Sequence, residues 1–139
     1  IKFIFCGFDD KEFYQFSQKK FSNLKCLGFI DNVNKVLDES NVLLLPSLHE
    51  GMPYSILEGM LRGVLIIAND IPGIQSLIKH MYNGFLIKDN DPNLYIKMVS
   101  KVLKDEIYIT KLINNGFKTV KQFGRKEFML EYEKILKSF

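Results

Sequence analysis

The chain has 139 residues, of which 47% are hydrophobic and 25% charged, with a formal net charge of +3. That composition places it with single globular domains and excludes disorder. Its longest apolar runs, such as 42–45 and 64–68, are far shorter than the roughly 20 residues of a bilayer-spanning helix, so a soluble or at most peripheral protein is expected.

In chain order, short β-rich runs alternate with helix-like segments. Lys2 to Phe5, Lys25 to Leu27, Val42 to Leu45, Val64 to Ala68 and Phe85 to Ile87 each look like a strand entering a loop, the signature of βαβ units. Val42 to Leu45 is apolar at every position, which suits a parallel strand covered on both faces. The expected fold is therefore α/β: an open, Rossmann-like parallel sheet of about five strands with helices on both faces. Between the strands, Phe13, Phe16 and Phe21 define one helical face, and Val33, Val36 and Leu37 another; both are expected to face the core. A helical stretch is expected over Gly73 to His80, with His80 near its carboxyl end, where a cation suits the helix dipole. Asp91-Pro92 has the form of an N-cap followed by proline at the first helical position. The helix it opens carries Leu94, Ile96, Val99, Val102 and Leu103. Residues 105–139 are expected to be helical throughout: a 3–4 spacing from Ile109 to Phe123, a break at Gly124, and a last amphipathic helix carrying Phe128, Tyr132, Ile135, Leu136 and Phe139.

Cys6 and Cys26 lie in strand-like runs without metal-site spacing, and are expected as buried, reduced thiols. The charge is uneven: residues 101–139 carry 9 basic and 5 acidic side chains. A solvated helical face explains that excess most simply, and peripheral contact with an anionic membrane surface is the other reading.

The chemistry is concentrated where the strand Val42 to Leu45 runs into Pro46-Ser47-Leu48-His49-Glu50-Gly51-Met52-Pro53, with a helix expected from about Tyr54. Ligands of open α/β sheets bind beyond the carboxyl ends of the strands. The first N–H groups of a helix at Tyr54 have no internal acceptor, and its dipole favours an anion, so a diphosphate could dock on backbone alone. Gly51 lets that backbone come close. Glu58, with two in-plane acceptor oxygens, suits adjacent ribose hydroxyls; Glu50 would face sugar hydroxyls beyond the phosphates. Structural roles stand beside these. Glu58 could pair with Arg62 one turn on, contributing about 0.3 kcal/mol, and Glu50 could complement the helix dipole. Asp89-Asn90-Asp91 has a metal-binding DxD form, but Asp91-Pro92 already explains it as a helix start.

Glu50-Gly51-Met52-Pro53-Tyr54-Ser55-Ile56-Leu57-Glu58-Gly59-Met60 resembles the EGxPxxxLEAM stretch of the retaining family-4 glycosyltransferases (glycosyl transferases group 1), with the same spacing of its two glutamates. Leu27-Gly28-Phe29, Asn41 to Ser47, Gly63 to Ala68 and Asn83 to Ile87 resemble that family's other strand patterns in the expected order. The resemblance covers nearly the whole chain and implies the C-terminal, donor-binding half of a GT-B fold. From it, Glu50 is expected as a donor-sugar contact and the catalytic candidate. Gly51, Met52, Pro53, Tyr54 and Ser55 would make the sugar and diphosphate contacts, Glu58 would hold the ribose, and the Phe29 backbone would meet the nucleobase. It further implies a nucleoside-diphosphate sugar as donor, no metal and no cofactor. The acceptor would be a glycan or lipid-linked saccharide bound through an N-terminal domain outside residues 1–139, which read as one nucleotide-sugar-binding domain. The family's first strand-helix unit and its diphosphate-clamping Arg and Lys would precede Ile1, so these residues alone are expected to bind nucleotide weakly and not to transfer sugar. No nucleic-acid partner is expected, and the location would be cytoplasmic, extending to the inner face of the membrane.

This chain departs from the family pattern at Pro72-Gly73 (usually Gly-Gly), Gly59 (usually Ala) and Gly7-Phe8-Asp9 (usually GxG). The rival readings are a GT-B sugar-nucleotide epimerase and a non-catalytic nucleotide-binding or regulatory module. One form of the latter is a phosphoacceptor receiver, which Asp9-Asp10 suggests but Pro46-Ser47 opposes, since a receiver needs an aspartate after that strand.

Overall fold

A computed structural model describes residues 1–7, 11–102, 104–124, 126 and 134. Asp9-Asp10, Leu103 and the last amphipathic helix expected from Phe128 to Phe139 lie outside the described residues. The chain divides into two compact units, Ile1–Glu39 and Ser40–Phe139, whose described residues form five strands with every pairing among them parallel.

In the first unit, β1 (Phe3–Cys6) leads through α1 (Lys11–Lys20) to β2 (Leu24–Gly28), and α2 (Val33–Asp38) follows. Phe3 lies beside Leu24 and Cys6 beside Gly28, with a register shift between Phe5 and Cys6. The Asn32 side chain starts α2 by accepting from the Asn34 N–H, satisfying a donor that has no partner within the helix. Leu37 of α2 is buried and Val33 and Val36 half-buried, as that helical face requires.

The phenylalanines of α1 correct the expectation of a buried face. Phe13, Phe16 and Phe21 are exposed, Phe16 at 60%, and among the described side chains of the helix the buried one is Ser17. Its hydroxyl donates to the Phe13 carbonyl at 2.7 Å and lies 3.4 Å from the Cys26 sulfur. The rings are partly covered from other directions. Phe13 packs on Phe5, with centroids 5.3 Å apart, and the Lys20 ammonium sits 5.2 and 5.5 Å from the Phe16 and Phe21 rings, within cation–π range. Cys6 and Cys26 are free thiols, half-buried rather than buried; burial raises the Cys6 pKa.

The second unit contains β3 (Val42–Leu45), α3 (Tyr54–Leu61), β4 (Leu65–Asn69), α4 (Pro72–Gln75), β5 (Phe85–Ile87), α5 (Pro92–Val102) and α6 (Glu106–Val120). Its sheet has the order β3-β4-β5. All five residues of β4 are buried, and their alternation assigns them to two cores. Ile66 and Ala68 join Ile56, Leu57, Met60 and Ile74 on the α3 side, while Leu65 and Ile67 join Phe85, Tyr95, Val102 and Leu112 on the α5–α6 side. Each such aliphatic side chain contributes about 1.5–3 kcal/mol by leaving water. β3 is half-buried throughout, with Leu43 and Leu45 packed against the α3-side core and Val42 and Leu44 against the other, so both its faces are covered, though less completely than those of β4.

Local signals set the helix ends. Asp91 Oδ1 accepts from the Asn93 N–H at 2.8 Å and Asp105 Oδ1 from the Tyr108 N–H at 3.0 Å, capping α5 and α6. At the end of α3, Gly63 adopts φ +71°. Its N–H donates to the Met60 carbonyl and that of Val64 to the Gly59 carbonyl, the paired bonds of a Schellman stop.

The Gly73 to His80 stretch differs from expectation, since α4 ends at Gln75. The Asn83 side chain donates to the Leu77 carbonyl and accepts from the Lys79 N–H, which holds 77–83 as a loop instead of a helix. His80 therefore caps no helix. Its Nδ1 accepts from the Leu86 N–H at 3.0 Å, so the imidazole occupies a backbone donor of β5.

Candidate functional site

The loop between β3 and α3 is tied to three other elements. From the end of β4, the Asn69 side chain donates to the Ser47 carbonyl at 3.0 Å while accepting from the Asp70 N–H. From the 3₁₀ turn Lys88–Asn90, Asn90 donates to the Pro46 carbonyl at 2.9 Å. From α4, Gly73 lies directly against the loop backbone. A Cβ built there would fall 2.5 Å from the Gly51 carbonyl oxygen and closer still to that of Glu50, so only glycine fits. Asn69 and Asn90 are loop tethers that pattern reading missed. The available signals were a polar residue closing the apolar run of β4 and an asparagine able to take the positive φ that Asn90 shows.

The loop and the start of α4 face an open cleft of about 490 Å³, lined by Leu48, His49, Glu50, Gly51, Ile71, Pro72 and Gly73. Glu50 and Gly51 are thereby brought together with Pro72-Gly73. Met52, Pro53, Tyr54, Ser55 and Glu58 are not among the cleft's lining residues. They form the start and second turn of α3, where Met52 and Tyr54 are exposed, Ser55 and Glu58 half-buried and Pro53 buried. Phe29 belongs to the first unit, directly after β2, and is 76% exposed.

The helix begins at Tyr54 as the sequence predicts, with Pro53 in the capping position and no side chain accepting from its first turn. Of its leading N–H groups, that of Ile56 donates to the Pro53 carbonyl at 3.1 Å, and those before it stand at the positive end of the helix dipole without an acceptor within the helix. Neither Glu50 nor Glu58 has a hydrogen-bond or ion-pair partner among the described residues, so the pairing of Glu58 with Arg62 is not formed. Asp91 is committed to capping α5, and Asp89 is an exposed turn residue at φ +54°. Among the described residues no group of three or more His, Cys, Asp or Glu side chains gathers to hold a metal.

A model of the family described as "Glycosyl transferases group 1" matches residues 1–119. The Escherichia coli UDP-Gal:alpha-D-GlcNAc-diphosphoundecaprenol alpha-1,3-galactosyltransferase is 35% identical over 123 residues, 84% of this chain and 32% of that protein. A Campylobacter jejuni alpha-1,4-N-acetyl-D-galactosaminyltransferase, whose named substrate is a diphosphoundecaprenol-linked saccharide, is 30% identical over 111 residues, 79% of this chain and 31% of that protein. The chain thus spans about a third of the length of these relatives. Among solved structures, Anabaena Alr3699/HepE in complex with UDP superposes with a TM-score of 0.88 at 20% identity, covering 100% of this chain and 41% of that one. TarM superposes at 0.83 and 17%, covering 96% and 28%. These two likenesses show the fold.

Proposed function

This chain belongs to the glycosyl transferases group 1 family, and on that premise we propose that it is the donor-binding part of a retaining glycosyltransferase using a uridine-diphosphate sugar. The observation that carries the reading is the uncapped start of α3, next in sequence to a loop whose Glu50 lines a cleft with Gly73 of α4. Backbone N–H groups of Gly51, Met52, Tyr54 and Ser55 would receive the diphosphate, Glu50 the sugar hydroxyls, Glu58 the ribose hydroxyls and the Phe29 backbone the base. The E. coli relative named for UDP-Gal and the Anabaena fold neighbour bound to UDP support uridine as the base. The two relatives named for diphosphoundecaprenol-linked saccharides support a lipid-linked acceptor.

In the reaction, the bond from the anomeric carbon to the diphosphate oxygen breaks and a bond to the acceptor oxygen forms on the same face. The acceptor proton passes to the departing phosphate. Negative charge grows on that phosphate as the bond breaks, and fixed N–H groups stabilise it without reorganising. This scheme assigns the diphosphate to backbone donors, and so calls for no resident metal.

Titration with UDP, GDP and ADP, followed by NMR, tests the reading. UDP is expected to bind in preference to the other two and to shift the amides of 50–55. Glu58→Ala should weaken binding of all three nucleotides, since each carries the same ribose, while changing stability by no more than about 0.5 kcal/mol. Unchanged affinity of Glu58→Ala for all three nucleotides would remove the ribose role.

A further inference from the structure

A second cleft, of about 540 Å³, opens between the outer edge of β5 and α5, lined by Asp70, His80, Leu86, Ile87, Lys88, Leu94, Lys97, Met98 and Lys101. Its chemistry differs from that of the first. Leu94, Lys97, Met98 and Lys101 follow one another at helical spacing along α5, so an apolar floor and a cationic rim lie on one helix face. Lys88 enters from the end of β5, and three ammonium groups then face one carboxylate, Asp70, whose Oδ1 is already occupied by the Gln75 side chain at 2.8 Å. None of the three lysines has an ion-pair or hydrogen-bond partner among the described residues.

His80 adds a fixed donor. A backbone N–H can only donate, so the bond from Leu86 N–H to His80 Nδ1 makes that nitrogen the acceptor. The neutral ring then carries its proton on Nε2. The same bond closes an outward-facing donor of the edge strand, which makes β5 a poor template for an added peptide strand.

We propose that this cleft binds the phosphate headgroup of an anionic membrane lipid. The lysines and the His80 Nε2–H would hold the phosphate oxygens, and Leu86, Leu94 and Met98 would meet the glycerol and upper acyl carbons. Charge complementarity selects the anion, and the apolar floor selects an amphiphile over a free ion. Lys101 is the member of this set from the basic C-terminal stretch; Lys88 and Lys97 lie before it. The inference stands on the lining of this cleft and is independent of nucleotide binding.

The test is co-sedimentation of the 139-residue chain with vesicles of phosphatidylcholine alone and of phosphatidylcholine mixed with phosphatidylglycerol. Binding is expected only to the mixed vesicles. Each lysine at an anionic surface is worth about a fivefold change, so Lys97→Gln with Lys101→Gln should weaken binding about thirtyfold. Lys111→Gln with Lys118→Gln, the same charge change on exposed positions of α6 outside the cleft, should have a much smaller effect. Lys88→Gln alone provides a single-site version. Equal losses in the two double variants would mean attraction by net charge and would overturn the site, as would absence of binding to the mixed vesicles. Inorganic phosphate shifting the amides of Leu86 to Lys88 as strongly as a short-chain phosphatidylglycerol does would make it a free-phosphate site and overturn the lipid assignment.

Discussion

Gly59 stands where the family pattern has alanine and Gly73 keeps the second glycine of its Gly-Gly pair, and the structure gives the two opposite physical meanings. At Gly73 the neighbouring atoms are backbone carbonyl oxygens of Glu50 and Gly51, which cannot rotate aside. Gly73→Ala must push the β3–α3 loop off its seat, and overpacking of this kind costs about 1–3 kcal/mol. At Gly59 a Cβ would lie 2.9 Å from Ile66 Cδ1, the far end of a side chain that can adjust. There the gain of up to about 1 kcal/mol in helix propensity on replacing glycine by alanine competes with a small packing shift. Chemical denaturation of both variants is expected to show Gly73→Ala clearly destabilised and Gly59→Ala unchanged or more stable. UDP binding, where measured, should weaken only in the former. Equal destabilisation would mean that the loop does not rest on α4 as described.

At the scale of elements, α5 is joined to β3 through Tyr95, which is buried in the α5–α6 core with its hydroxyl 3.4 Å from the Leu45 carbonyl. Burial pushes its pKa from 10.0 to about 12, because the phenolate would lose its hydration. The native state therefore prefers the neutral phenol. That contribution is whole below pH 10 and is lost as pH rises from there towards 12. Tyr95→Phe should remove this part of the alkaline loss while leaving the neutral-pH stability little changed; parallel urea midpoints of both proteins across that range would show it, and identical alkaline slopes would refute it. The difference in legibility between elements has the same local-versus-distant origin. The strands β3 and β5 and the starts of α3 and α5 could be read from sequence because their signals are adjacent residues: Pro46, Pro53, Gly84 and Asp91-Pro92. The end of α4 could not, since Ile74, Leu77 and Ile78 keep a helical spacing while the Asn83 side chain bonds the backbone of that stretch. In the candidate site, the loop and its glutamates were equally legible. Its tethers were not, because Asn69 to Ser47 and Asn90 to Pro46 span 22 and 44 residues.

Over the whole chain, apolar burial is unevenly shared between the two units. Every residue of β4 is buried, with a core on each face, whereas Phe3, Ile4 and Phe5 of β1 are all exposed to between 38% and 39%. Among the described residues of the first unit, only Leu37 and Ser17 are buried. Amide exchange through local opening follows this distribution, since a segment with few buried apolar contacts opens at a lower free energy than the global one. In native-state hydrogen exchange of the full chain, the amides of Leu65 to Asn69 are expected to be the slowest. Those of β1 and β2 should exchange through openings that cost less and depend less on denaturant. Saturating UDP should slow exchange at 50–58, because a ligand held by the native loop suppresses its opening in proportion to occupancy. If the β1 and β2 amides proved as protected as those of β4, the first unit would need a source of stability beyond its own side chains, and its exposed phenylalanines would be the place to look for it.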